Sequence, residues 1–192
     1  MSPISSFLTD EKKRAKKIRE GDRKSFSELY ISNFNLMCDF GVSITQDEEV
    51  TRELVQDVFL SIWVNRREWQ PKGTIRSYLY RAIKNRCLDY LKHKKIEKKW
   101  QEIMRNSRSE NEATPHDDYA RVELESIVQK AVNKLPKKQK MVFLLSRVQG
   151  LKYREIAEVM EISEKTVENQ MAHALRKLRE HVNKIYVIRG KK

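Results

Sequence analysis

Apolar residues recur along this chain at steps of three and four, the spacing that gathers side chains on one face of an α-helix. Phe26, Leu29, Tyr30, Phe34, Met37 and Phe40 predict a helix from about 23 to 40. Val50, Leu54, Val55, Val58, Phe59, Ile62 and Trp63 predict a second, with Asp47, Glu48 and Glu49 at its start, where the helix dipole favours negative charge. Pro71 and Gly73 then break the chain, and Ile75, Leu79, Ala82, Ile83, Cys87 and Leu91 mark a third helix from about Thr74 to Lys92.

The same spacing returns in the second half. Leu124, Ile127, Val128, Ala131, Val132 and Leu135 form a stripe that Pro136 ends or restarts. A helix over Lys137 to Arg147 follows around Val142, Phe143 and Leu145, Gly150 permits a turn, and Lys152 to Met160 is short and helical, with Ile156, Ala157 and Met160 inward. Ser163 is a helix cap, and Val167, Met171, Ala174 and Leu178 are the buried stripe of a last long helix. Between the halves the periodicity fades. Residues 97–122 hold six acids (Glu97, Glu102, Glu110, Glu112, Asp117, Asp118) and five bases (Lys98, Lys99, Arg105, Arg108, Arg121) around one proline, a linker composition. The expected fold class is therefore all-α: two small helical domains joined by a flexible linker. No alternation long enough to require a sheet and no repeat of 20 to 50 residues is present.

Composition narrows the partners. In 192 residues, 40 Lys and Arg face 27 Asp and Glu, a formal charge of +13, and the pI is near 9.7. That balance favours a polyanion, nucleic acid first, although membrane-surface proteins are as basic. Cys38 and Cys87 stand far apart without metal or disulfide spacing, which fits a reducing cytoplasm. No apolar run suits a leader or a membrane span. His93, His116, His173 and His181 make no triad or ligand spacing, no phosphate-cradling glycine loop occurs, and neither an enzyme nor a cofactor is expected. His116, Asp117 and Asp118 could hold a metal, but a polar linker explains them as well, so no metal is expected.

The segment from Tyr153 to Leu178 has the order of a helix-turn-helix, with Ala157 as the small residue where two steeply crossed helices touch. With Val167 and Met171 inward, Lys165, Thr166, Glu168, Asn169, Ala172, His173 and Arg176 look outward. Lys and Arg suit guanine, Asn suits adenine, and Thr or Ala can touch a thymine methyl in a major groove. A plain helical corner would show the same apolar pattern. In the first half, residues 46–60 carry five acids and one base, which repels DNA and suits a protein partner. Residues 74–95 carry seven bases (Arg76, Arg81, Lys84, Arg86, Lys92, Lys94, Lys95) against Asp89, and one face combines Arg76, Tyr80, Arg81, Lys84 and Asn85. Bases that track phosphates beside groups that stack on or bond to bases are what single-stranded DNA needs.

LPKKQKMVFLLSRVQGLKYREIAEVMEISEKTVENQMAHALRKLRE resembles the fourth region of bacterial sigma factors, particularly the extracytoplasmic-function subfamily. ELVQDVFLSIWVNRREW followed by IRSYLYRAIKNRCLDYLKHKK resembles the second region of the same family, in the right order. The resemblance implies an N-terminal extension at 1–21, region 2 at 22–96, a linker at 97–121, region 4 at 122–183 and a basic tail at 184–192. It implies that Arg52, Glu53, Gln56, Asp57 and Leu60 dock on the clamp helices of core RNA polymerase. It implies that Trp69, Lys72, Arg76, Tyr80, Arg81, Lys84 and Asn85, with the loop from Trp69 to Thr74, hold the melted minus-ten promoter element and a flipped base. It assigns the outward row of the last helix to the minus-thirty-five element, and adds an anti-sigma factor as a further partner. The free protein is expected to be a cytoplasmic monomer without membrane insertion. Tyr80 as a packing residue and Lys92 to Lys95 as a solvated helix end stay open.

Two departures stand out. Glu161 occupies a turn position that often carries Gly, a cost of about 1 kcal/mol if positive φ is needed there. Glu168 on the reading face repels phosphate and prefers a cytosine amino group. A stand-alone helix-turn-helix regulator, binding duplex operator DNA without polymerase, is the alternative from a different class.

Overall fold

The computed structural model of the chain describes residues 3–104 and 129–189, and every regular element among them is helical. The chain divides into an N-terminal and a C-terminal compact unit.

The N-terminal unit is built from α1 (Pro3–Arg19), α2 (Arg23–Thr45), α3 (Glu48–Val64) and α4 (Ile75–Met104). The starts of α2, α3 and α4 each have a polar group for their unpaired N–H donors. The Asp22 carboxylate accepts from Lys24 N at 3.1 Å and from Ser25 Oγ at 2.7 Å, and Asp47 Oδ1 accepts from Val50 N at 3.2 Å. Thr74 Oγ1 accepts from Ser77 N at 3.0 Å, while Glu11 of α1 reaches across so that its Oε2 accepts from Ile75 N at 3.3 Å. Helix α2 ends where Gln46 turns left-handed at φ 59° and its N–H donates to Val42 O.

Leu29, Met37 and Phe40 of α2 meet Val55 and Phe59 of α3 and Leu79, Ile83 and Cys87 of α4 in a closed core. Aromatic pairs lock α2 to α3: Tyr30 edge-on to Phe59 at 5.0 Å and Phe26 tilted on Trp63 at 4.9 Å, contacts worth about 0.5–1.5 kcal/mol each beyond area burial. Gly41 lets α2 and α3 approach, because a Cβ there would come within 2.5 Å of Thr51 Cγ2. Beside it Thr45 and Thr51 share a buried hydroxyl hydrogen bond of 2.6 Å.

Two boundaries differ from expectation. The supposed extension before residue 22 forms α1, whose Ala15 and Ile18 are buried in the same core. Helix α4 runs on to Met104, past the expected linker start at 97, where Ile96, Trp100 and Ile103 keep the helical steps of four and three. The rest of that linker, and with it His116, Asp117 and Asp118, lies outside the described residues.

In the C-terminal unit, residues 129–133 are helical, and Ala131 and Val132 are buried. Helix α5 (Lys137–Phe143) starts directly after Pro136 and widens into a π-helical turn over Leu144–Val148, where a single longer helix was expected. Gly150, at φ 68°, reverses the chain into α6 (Tyr153–Met160), and α7 (Glu164–Arg189) follows a short turn. Helix α5 packs on α7, and Val142, Leu145, Leu151, Ile156, Val167, Met171 and Ala174 make the core. The expected tail from 184 continues the last helix as far as Arg189.

Candidate nucleic-acid interface

Helix α7 begins on the predicted cap: Ser163 Oγ accepts from Thr166 N at 3.1 Å and shares a hydrogen bond with Thr166 Oγ1 at 2.8 Å. Burying Val167, Met171 and Ala174 turns the opposite meridian outward. Lys165, Glu168, Asn169, Ala172, His173 and Arg176 are exposed there, and Thr166 is half-buried against its cap. Two pairs already bond along this face. Lys165 Nζ lies 2.8 Å from Glu168 Oε2, and this carboxylate, by hydrogen bond and charge, raises the lysine's pKa above its ordinary value. Arg176 Nη2 lies 2.9 Å from His173 Nδ1. The turn before α7 takes the left-handed form that glycine favours, with Glu161 at φ 57°.

In the N-terminal unit, α3 presents Arg52, Glu53, Gln56, Asp57 and Leu60 together on one exposed face. Leu60 is 60% and Val64 63% exposed, so an apolar step lies beside the acids. The Arg52 guanidinium is held 5.4 Å from the Phe34 ring.

On α4 the expected single-strand residues divide. Arg76 and Arg81 are half-exposed, Asn85 and Lys72 are exposed, and Lys84 follows Tyr80 by one turn. Tyr80 itself is core: it is fully buried, its ring set edge-to-face against Phe40 at 5.0 Å, with the Arg76 guanidinium 5.8 Å from its centroid. Trp69 is likewise buried, at 5% exposure, edge-on to Tyr78 at 5.8 Å, and its Nε1 meets no acceptor among the described residues. Neither ring offers a free face to a base, which corrects their expected role as direct contacts. Asn85 instead lines a groove of about 230 Å³ between α3 and α4, with Ser61, Tyr78, Arg86 and Asp89. In the Lys92 to Lys95 cluster, Lys94 sits over the Tyr90 ring at 5.4 Å.

A second cleft, of about 460 Å³, joins the loop before α4 to α1, and Glu11, Lys12, Arg19, Arg67, Gln70 and Ile75 line it. Arg19 Nη1 also donates to Trp69 O at 3.5 Å. Sequence reasoning missed the α1 contribution; the signal was the spacing of Glu11, Ala15 and Ile18, at steps of four and three. Among the described residues no three His, Cys, Asp or Glu side chains gather as a metal site. No helix among them is long and apolar enough to cross a membrane.

Comparison with known proteins agrees with this division. Residues 29–96 match the family model described as Sigma-70 region 2, and residues 125–178 match Sigma-70, region 4. The ECF RNA polymerase sigma-E factor of Haemophilus influenzae is 22% identical over 179 residues, covering 89% of this chain and 94% of that protein. The ECF RNA polymerase sigma factor SigW of Bacillus subtilis is 22% identical over 187 residues, covering 89% and 96%. Among solved structures, CnrH in complex with the cytosolic domain of CnrY is similar at TM-score 0.65 and 23% identity, covering 90% of this chain and 97% of that one. The sigma factor RpoE, in complex with the anti-sigma factor NepR from Bartonella quintana, is similar at TM-score 0.59 and 18% identity, covering 83% and 98%. At these identities the two structures speak for the fold.

Proposed function

The chain belongs to the sigma-70 family, in its extracytoplasmic-function subfamily, and from that premise we propose that it binds core RNA polymerase, directs it to a set of promoters and assists their melting. The observation that carries the reading is the opposed charge of neighbouring helices in one unit. The exposed face of α3 is acidic and apolar, which suits a protein scaffold and repels phosphate, whereas α4 is basic along its length.

In this reading Arg52, Glu53, Gln56, Asp57 and Leu60 meet the polymerase clamp. Lys72, Arg76, Arg81, Lys84 and Asn85 hold the parted minus-ten strand, with Trp69 and Tyr80 supporting them from the core. The cleft between α1 and the loop, rimmed by Lys12, Arg19, Arg67 and Gln70, has room and charge for an unpaired nucleotide. Lys165, Thr166, Glu168, Asn169, Ala172, His173 and Arg176 read the minus-thirty-five duplex. Two small reading modules gain affinity when a scaffold fixes their spacing, so DNA binding by the free, monomeric chain is weak. The protein works in the cytoplasm and leaves the chemistry of RNA synthesis to the polymerase. An anti-sigma factor that covers these faces controls it, a reading supported by the fold it shares with two proteins solved in complex, one with the cytosolic domain of CnrY and the other with the anti-sigma factor NepR.

The test is transcription in vitro with core polymerase and a randomised promoter library. Initiation is expected on a subset that shares two motifs at fixed spacing. No initiation above core alone, combined with tight duplex binding by the free chain, would instead make it a self-sufficient regulator.

A further inference from the structure

We propose that Lys165 and Glu168 read one G·C base pair of the upstream promoter element as a unit, with the lysine on the guanine side. The proposal rests on the seating of α7 in duplex DNA. Lys165 lies near the middle of the outward face and Glu168 at its border, and their side chains are 78% and 47% exposed with Nζ and Oε2 2.8 Å apart. So exposed a pair adds little to the stability of the fold. Its effect is on the lysine. A lone ammonium on a four-carbon stem binds any phosphate as readily as a base, because its three donors rotate freely. Tied to Glu168, it becomes a directed donor with an acceptor beside it.

That order of polarity selects one base pair. In the major groove the G·C edge shows the guanine acceptors N7 and O6 and then the cytosine N4 donor. O6 and N4 share a Watson–Crick hydrogen bond, so they stand about 2.9 Å apart, close to the separation of the two charged atoms. The ammonium donates to O6 and N7, and Oε2, through its second lone pair, accepts from N4–H. C·G and A·T reverse the order and set donor against donor and acceptor against acceptor. T·A keeps the order, but a thymine methyl stands in place of N7 and leaves the ammonium one partner short. Arg176 is engaged separately by His173, so it does not compete for Glu168.

The experiment uses holoenzyme assembled from the full chain and core polymerase, on promoters randomised through the upstream element. The unsubstituted chain is compared with Lys165→Gln, Glu168→Gln and the double variant, and circular dichroism confirms equal helicity. One position is expected to favour G·C by at least about fivefold, to fall within about twofold in either single variant, and to fall no further in the double. Preferences elsewhere stay unchanged. Glu168→Gln also frees Lys165 for a phosphate, so the salt dependence of binding steepens by up to about one unit of log–log slope. An intact G·C preference in Glu168→Gln would overturn the proposal, as would a loss spread evenly over every position. No upstream preference in the unsubstituted chain would overturn the duplex reading of α7 itself.

Discussion

Replacing Glu161 by glycine is expected to stabilise the C-terminal unit, and the gain can be worked from the backbone. Glu161 sits at φ 57°, exposed, in the turn where Ile162 N donates to Ala157 O at 3.1 Å. An L-residue in that conformation bears about 1–2 kcal/mol of crowding between Cβ and carbonyl. Glycine escapes this but loses about 0.5–1 kcal/mol more chain entropy on folding. The remainder, about 1 kcal/mol, favours glycine. Alanine is the reference, since it removes the same carboxylate and keeps the strain. Hydrogen exchange at the amides of Val167 and Met171, whose side chains are buried, reports opening of the unit. Exchange is expected to be about fivefold slower in Glu161→Gly than in Glu161→Ala, the factor that about 1 kcal/mol sets. Equal rates, or faster exchange in the glycine variant, would show that left-handed strain is not what this turn carries.

Three further outcomes follow from packing and burial. Ile18→Ala removes a fully buried side chain of α1 and is expected to destabilise the N-terminal unit by about 2–5 kcal/mol, read as a lower midpoint of tryptophan fluorescence melting; an unchanged midpoint would detach α1 from the core. Tyr80→Ala is expected to cost about 3–5 kcal/mol by the same measure, so its transcription defect tracks unfolding, whereas Arg81→Gln melts normally and loses open complexes. Burial pushes the Cys87 thiol up to about 12. The raised value means that its stabilising contribution is whole below the ordinary thiol range and lost as pH climbs through that range toward 12. Alkaline titration of stability is therefore expected to be flatter in Cys87→Ala, and native Cys87 to resist alkylation near neutral pH.

Much of this was legible in the chain because each rule involved is local. The stripes of α2, α3 and α7 follow from spacing alone, Ser163 caps the helix it was expected to cap, and Asp47, placed at a helix start for its charge, also caps it. The cost at Glu161 was visible because a turn between two helices commonly needs positive φ, and it has it. What escaped depends on the rest of the fold. Helix α1 is mostly polar, and only its meeting with the core makes Ala15 and Ile18 inward residues. Tyr80 lies at the border of the stripe formed by Ile75, Leu79, Ile83 and Cys87, where spacing does not decide between core and surface. The decision comes from Phe40 of α2, whose ring fills the space beside it. Past residue 96 the charged, mixed composition suggested a linker, where α4 persists as a helix to Met104.

The central claim is that this chain is held by polymerase through α3. Capture of the full chain by purified core RNA polymerase, compared with Asp57→Arg and Leu60→Asp variants, tests it most directly. Both substitutions are on exposed side chains and are expected to leave melting unchanged while weakening capture at least about tenfold, as truncating an interface anchor by about 1.4 kcal/mol or more does. Failure of the unsubstituted chain to bind core, or equal capture of all three proteins, would contradict the account.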